Sequence, residues 1–139
     1  MNIQNIVLVN ANFHMVKPVQ GQVDNQIQVN TQVAEIKEMH TQARVKVDLT
    51  LKAHDSSDEF GFLELTYIVP VEFEEDDIME QQIVGKAVTR QLIPMAASDV
   101  NFFMAKACVP AMPPAFMLQI RTVNIFFIHV LVPIDPLDK

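Results

Sequence analysis

The chain is poor in the residues that reactive or cross-linked proteins depend on. Cys108 is the only cysteine among 139 residues. A lone cysteine excludes an internal disulfide and any multi-thiolate metal site, and leads us to expect a reducing, cytoplasmic setting. Gly21, Gly61 and Gly85 are its only three glycines. None falls in a GxGxxG or GxxxxGK spacing, so the standard phosphate-cradling loops are excluded. Cations are scarce as well, with ten Lys and Arg against 17 Asp and Glu and a net charge of −7. Nucleic-acid binding requires clustered cations that neutralise phosphates, so nucleic acid is not an expected partner.

Long apolar runs are also missing. The nearest, Val123 to Ile134, is interrupted by His129 and Pro133 and falls short of the roughly 18 residues that suggest a membrane span. The opening MNIQNIVLVNANFH lacks the basic start, apolar core and small-residue cleavage site of a signal peptide. Neither export nor stable membrane insertion is expected. What remains is ordinary for a folded chain, with 50% apolar and 19% charged residues, and the length suits a single domain over residues 1–139.

The cleanest pattern runs from Ala43 to His54, where Ala43, Val45, Val47, Leu49, Leu51 and Ala53 alternate with polar neighbours. Period-two alternation of this length predicts a strand with one buried and one wet face. The polar cluster HDSSDEFG supplies a turn, and residues 60 to 74 resume as a second strand rich in β-branched and aromatic residues, giving an antiparallel hairpin. Pro70 cannot donate to a ladder, so it marks a sheet edge, a bulge or a projecting strand end. Upstream, Ile27, Val29, Thr31 and Val33 alternate with polar residues until the phase slips at Glu35-Ile36, which reads as a strand with a bulge. Residues 3 to 16 also read as extended.

Four strands thus precede a helix expected from about Asp77 to Cys108, along which apolar residues recur at helical spacing. Strands followed by a helix, without βαβ alternation, indicate an α+β fold: a four-stranded antiparallel sheet, a long helix across one face and a short C-terminal element. Gly85 weakens the helix by about 1 kcal/mol, and Pro94 within it predicts a kink. The acidic run Glu72, Glu74, Glu75, Asp76, Asp77 lies where the helix should begin. There it either complements the helix dipole or docks a basic partner. The last stretch, FMLQIRTVNIFFIHVLVPI, is ambiguous between helix and strand.

Residue types that carry catalysis are present without the neighbours they need. His14, His40, His54 and His129 are scattered, with no metal-seating spacing. Cys108, beside Val109-Pro110, reads as an inert buried thiol. Pairs such as Asp58-Glu59 and Glu72-Glu74 read as wet surface. No catalytic residue, metal or cofactor is assigned. Soft apolar side chains are abundant instead: Met79, Met95, Met104, Met112 and Met117, with Phe102, Phe103, Phe116, Phe126 and Phe127, gather in the second half. Adjacent Phe102-Phe103 and Phe126-Phe127 cannot both face one core, and the surplus points to an oligomer interface or a groove for varied apolar partners.

The order Leu92-Ile93-Pro94-Met95-Ala96-Ala97, then Val109-Pro110, then Pro113-Pro114 and Val123-Asn124-Ile125-Phe126 resembles the second half of the SecB export chaperone family. Met95 stands where that family has tyrosine. In pattern the chain is closer to an uncharacterised SecB-like family of Gram-positive bacteria. The resemblance implies a non-enzymatic homo-oligomer, a dimer or dimer of dimers, that holds unfolded or extended apolar polypeptides and, in the export system, passes them to the SecA motor. It further implies that Tyr67, Phe73, Met95, Phe102, Phe103 and Phe126 line a peptide groove or interface. The alternative from another class is a structural or regulatory interaction module whose apolar surface is consumed in self-association.

Overall fold

Alternation in residues 40–53 fixes the centre of the molecule. The computed structural model describes residues 1–3, 5–54, 56–106 and, as backbone, 123–128. Its elements are β1 (Asn2–Ile3), β2 (Val7–Met15), β3 (Val23–Ala34), β4 (His40–Ala53), β5 (Glu59–Glu72), α1 (Gln81–Lys106) and β6 (Val123–Ile128). β4 and β5 form the expected hairpin, with Val45 opposite Tyr67, Val47 opposite Leu65 and Leu49 opposite Leu63. β3 lies on the far side of β4, and both β1 and β2 pair with the outer side of β5. The sheet order is therefore β1/β2, β5, β4, β3, β6, antiparallel throughout except that β6 runs parallel to β3.

One edge is interrupted, and the interruption explains Pro70. β2 stops pairing at Val7 opposite Ile68, and β1 pairs only from Ile3 opposite Val71. Between them Asn5 takes a left-handed φ of 51°, which turns the edge strand. Pro70 falls opposite this break, where the outer ladder is already absent, so its missing donor costs nothing there. The phase slip at Glu35-Ile36 also has a physical form. β3 ends at Ala34 with Val33 opposite Ala43, and an isolated bridge then joins Lys37 to His40. Residues 34, 35 and 36 face only 41 and 42, one extra residue on the first side. Glu38 and Met39 complete the turn with φ of 52° and 64°.

Along β4 and β5 every second side chain is buried: Ala43, Val45, Val47, Leu49 and Leu51, with Leu63, Leu65, Tyr67, Val69, Val71 and Phe73. α1 covers this face. It begins at Gln81, later than Asp77, because Asp77 closes a turn by accepting the Glu74 N–H at 2.8 Å. The helix runs continuously through Pro94, whose exposed position puts the missing hydrogen bond on the side away from the core. Its buried residues include Val84, Val88, Leu92, Ala96, Val100 and Met104, a strict spacing of four. Four residues overshoot one turn by about 40°, so the buried stripe winds around the helix as it crosses the twisted sheet.

Candidate functional site

Polar contacts pin the helix to the sheet, beginning with Gln81 Nε2 at its first residue, which donates to the Val33 carbonyl at 3.1 Å. Thr31 Oγ1 and Thr89 Oγ1 lie 2.9 Å apart in the core, and Thr89 also donates to the Gly85 carbonyl at 2.7 Å. Tyr67 Oη donates to Asp99 Oδ2 at 2.7 Å. Burial, then the Asp99 hydrogen bond, then its negative charge push the Tyr67 phenol well above its ordinary value. Tyr67 is fully buried and Phe73 nearly so. Within one chain these two expected groove residues therefore belong to the core. Nothing in the sequence pattern singled out Asp99 as a partner.

The opposite side of α1 is where apolar surface meets water. Phe102 is 61% exposed and Met95 38% exposed. They are seven residues apart, two turns, so they share one strip of the helix about 10 Å long. Gln91 and Ser98 share that strip and are exposed. Phe103, the neighbour of Phe102, turns inward and packs against Phe13 with ring centroids 5.7 Å apart. The Phe102 ring stands edge-on to Phe103 at 5.4 Å, and Lys106 Nζ sits 4.7 Å from its centroid. Ile78 and Met79 before the helix, and Ile83 in its first turn, add further exposed apolar side chains. Of the expected groove residues, Met95 and Phe102 are brought together at the surface and Phe103 lies half-buried beneath. Phe126 is placed in register with Gln32 of β3. Cys108 and His129 lie outside the described residues.

The acidic run forms the connection from β5 to α1. Glu72, Glu74, Glu75 and Asp76 are exposed there. Asp77 is engaged, holding the Glu74 amide and the amino group of Met1. The Glu74 amide, followed by that amino group, holds its carboxyl below the usual carboxylate range. No acidic residue occupies the first helical turn, so the run does not cap the helix from within.

The outer sheet face is polar. Asn10, Asn30, Gln32, Arg44, Lys46, Glu64 and Thr66 line a cleft of about 580 Å3 across β2, β5, β4 and β3. Asp48 and Glu64 stand directly opposite one another. Burial raises the Asp48 carboxyl, Lys46 at 3.7 Å opposes that rise, and Glu64 adds to it. Among the described residues no group of three or more His, Cys, Asp or Glu is placed to hold a metal, and no helix is long and apolar enough to cross a membrane.

A sheet of this order with one long helix across it is the SecB-like fold. It matches the solved structure of the SecB-like chaperone Rv1957 of Mycobacterium tuberculosis, in complex with a ChAD peptide from the antitoxin Rv1956 HigA1. The TM-score is 0.65 over 80% of this chain and 86% of that one, at 13% identity. No protein-family model matches the sequence, and no curated protein matches it.

Proposed function

We propose that this chain is a non-enzymatic polypeptide-binding protein of the SecB-like type, working as a homo-oligomer that holds unfolded or extended apolar segments. The observation that carries this reading is the exposed pair Met95 and Phe102, on a helix whose other face is wholly committed to the core. Flexible methionine beside aromatic surface suits varied apolar sequences, and the structural neighbour was solved with a bound peptide. The exposed carboxylates Glu72, Glu74, Glu75 and Asp76 supply an attractive surface for a basic tail on a partner or client.

Light scattering combined with an environment-sensitive hydrophobic dye tests it. An oligomer that still binds dye supports an open client surface. A monomer that does not slow the aggregation of an unfolded protein contradicts the reading. An oligomer that binds no dye favours instead an interaction module whose apolar surface is used up in self-association.

A further inference from the structure

β6 is the odd strand of the sheet. Every other ladder is antiparallel, whereas β6 pairs parallel with β3 over only six positions, Val29 to Ala34. Parallel pairing is slightly weaker per residue than antiparallel, and the β3–β4 ladder on the other side of the same strand spans eleven positions, Val23 to Val33. Of the two strands beside β3, β6 is therefore the less extensively paired.

Its sequence, Val-Asn-Ile-Phe-Phe-Ile, has no charge and no proline and is rich in β-formers. That is the composition of a segment prone to pair with any open strand edge. It is also the composition of an unfolded apolar client. The edge it covers is no ordinary one, because Val29, Thr31 and Val33 of β3 are core residues. Left open, such an edge is a template for strand addition.

We propose that the β3 edge at Val29–Ala34 is an acceptor for an extended apolar peptide strand, and that β6 is a built-in occupant which a client strand displaces. The proposal rests on the polypeptide-binding reading and adds where the backbone of a client is held and what competes for that place. A tethered strand competes at an effective concentration of about millimolar. Weak peptides are excluded by that competition, and the aggregation-prone edge stays covered when no client is present.

The test uses the full chain and a fluorescein-labelled peptide with the sequence of residues 121–130. Backbone direction alternates along β6, and the register turns the amides of Asn124, Phe126 and Ile128 toward β3. Phe126→Pro removes a ladder donor in the middle of β6, and Asn124→Pro, near its start, is the second variant. Circular dichroism and amide exchange in β4 and β5 verify that each variant is folded. In a folded variant, freeing the acceptor raises peptide affinity about tenfold or more over the unsubstituted chain. Amides of Val29, Thr31 and Val33, the ones in this stretch that face β6 and not β4, exchange faster in the variant and are protected again by peptide. Equal affinity for variant and unsubstituted chain, or binding that leaves exchange at these three amides unchanged, overturns the proposal. If that result comes with undiminished suppression of client aggregation, strand displacement alone fails. If the chain neither binds peptide nor slows aggregation, the polypeptide-binding reading fails with it.

Discussion

Tyr67 in the centre of β5 donates its hydroxyl to Asp99 on the second half of α1, 2.7 Å away. A phenol buried in an apolar core requires a partner for its hydroxyl, and the helix supplies one from its flank. Tyr67→Phe keeps the ring and removes the bond, leaving Asp99 without this donor. The expected loss is about 1–2 kcal/mol, below the upper range for charge-assisted bonds because Asp99 is partly exposed. Urea unfolding of Tyr67→Phe, Asp99→Ala and the double variant measures it, and a near-additive double variant contradicts the coupling.

The same pair sets an alkaline limit. The raised phenol binds its proton more tightly folded than unfolded. Its contribution is therefore complete below the unfolded value of about 10 and is lost as pH rises above that. Tyr67 is the only tyrosine and there is no tryptophan, so absorbance near 295 nm reports this one group. Native protein shows no phenolate until it unfolds, and a reversible native titration near pH 10 contradicts the buried bond.

Asp48 behaves in the opposite sense to the usual acidic group. Its carboxyl is raised, by burial first and also by the facing Glu64, against the pull of Lys46. A raised group favours the folded state while protonated, and that contribution is lost as pH rises through its folded value. Asp48→Asn is expected to unfold at a higher urea concentration than the parent at pH 7, and the gap closes toward pH 4. A lower midpoint at neutral pH indicates that the Lys46 pairing dominates.

Gly61 is required by close approach. It pairs with Leu51 on one side and Met15 on the other. An added Cβ collides with the His14 carbonyl and comes within 2.7 Å of Met15 Sδ. Gly61→Ala is expected to cost about 1–3 kcal/mol, as overpacked sites do. Amide exchange should rise selectively in β2, and an unchanged urea midpoint contradicts the contact.

Much of this architecture can be read from residue order. The alternation from Ala43 to Ala53 gives β4 and its buried face directly, and the parity of Leu63, Leu65 and Tyr67 places Tyr67 on the core face. An aromatic with a polar tip reads equally well as groove lining, which is why parity is the better guide. The edge break at Asn5 is not legible locally, since it depends on Val69 and Pro70 more than sixty residues away. Of the three readings open for Pro70, only pairing partners decide. At Phe102-Phe103 the sequence requires divergence without saying which ring leaves the core, and Phe13 decides by receiving Phe103. The helix start is displaced from Asp77 to Gln81 because the Asp77 side chain is taken up by the turn before it.

Polypeptide capture on the helix surface is tested most directly by suppression of aggregation of guanidinium-unfolded citrate synthase, comparing the unsubstituted chain with Met95→Ser/Phe102→Ser. Both side chains are exposed, so the double variant should lose about 1–2 kcal/mol of stability and stay folded, counting the Phe102–Phe103 edge contact and the Lys106 cation over the Phe102 ring. The unsubstituted chain is expected to slow aggregation at near-stoichiometric amounts and the folded double variant to lose most of that effect. Equal suppression by both, or none by the unsubstituted chain, contradicts capture at this surface.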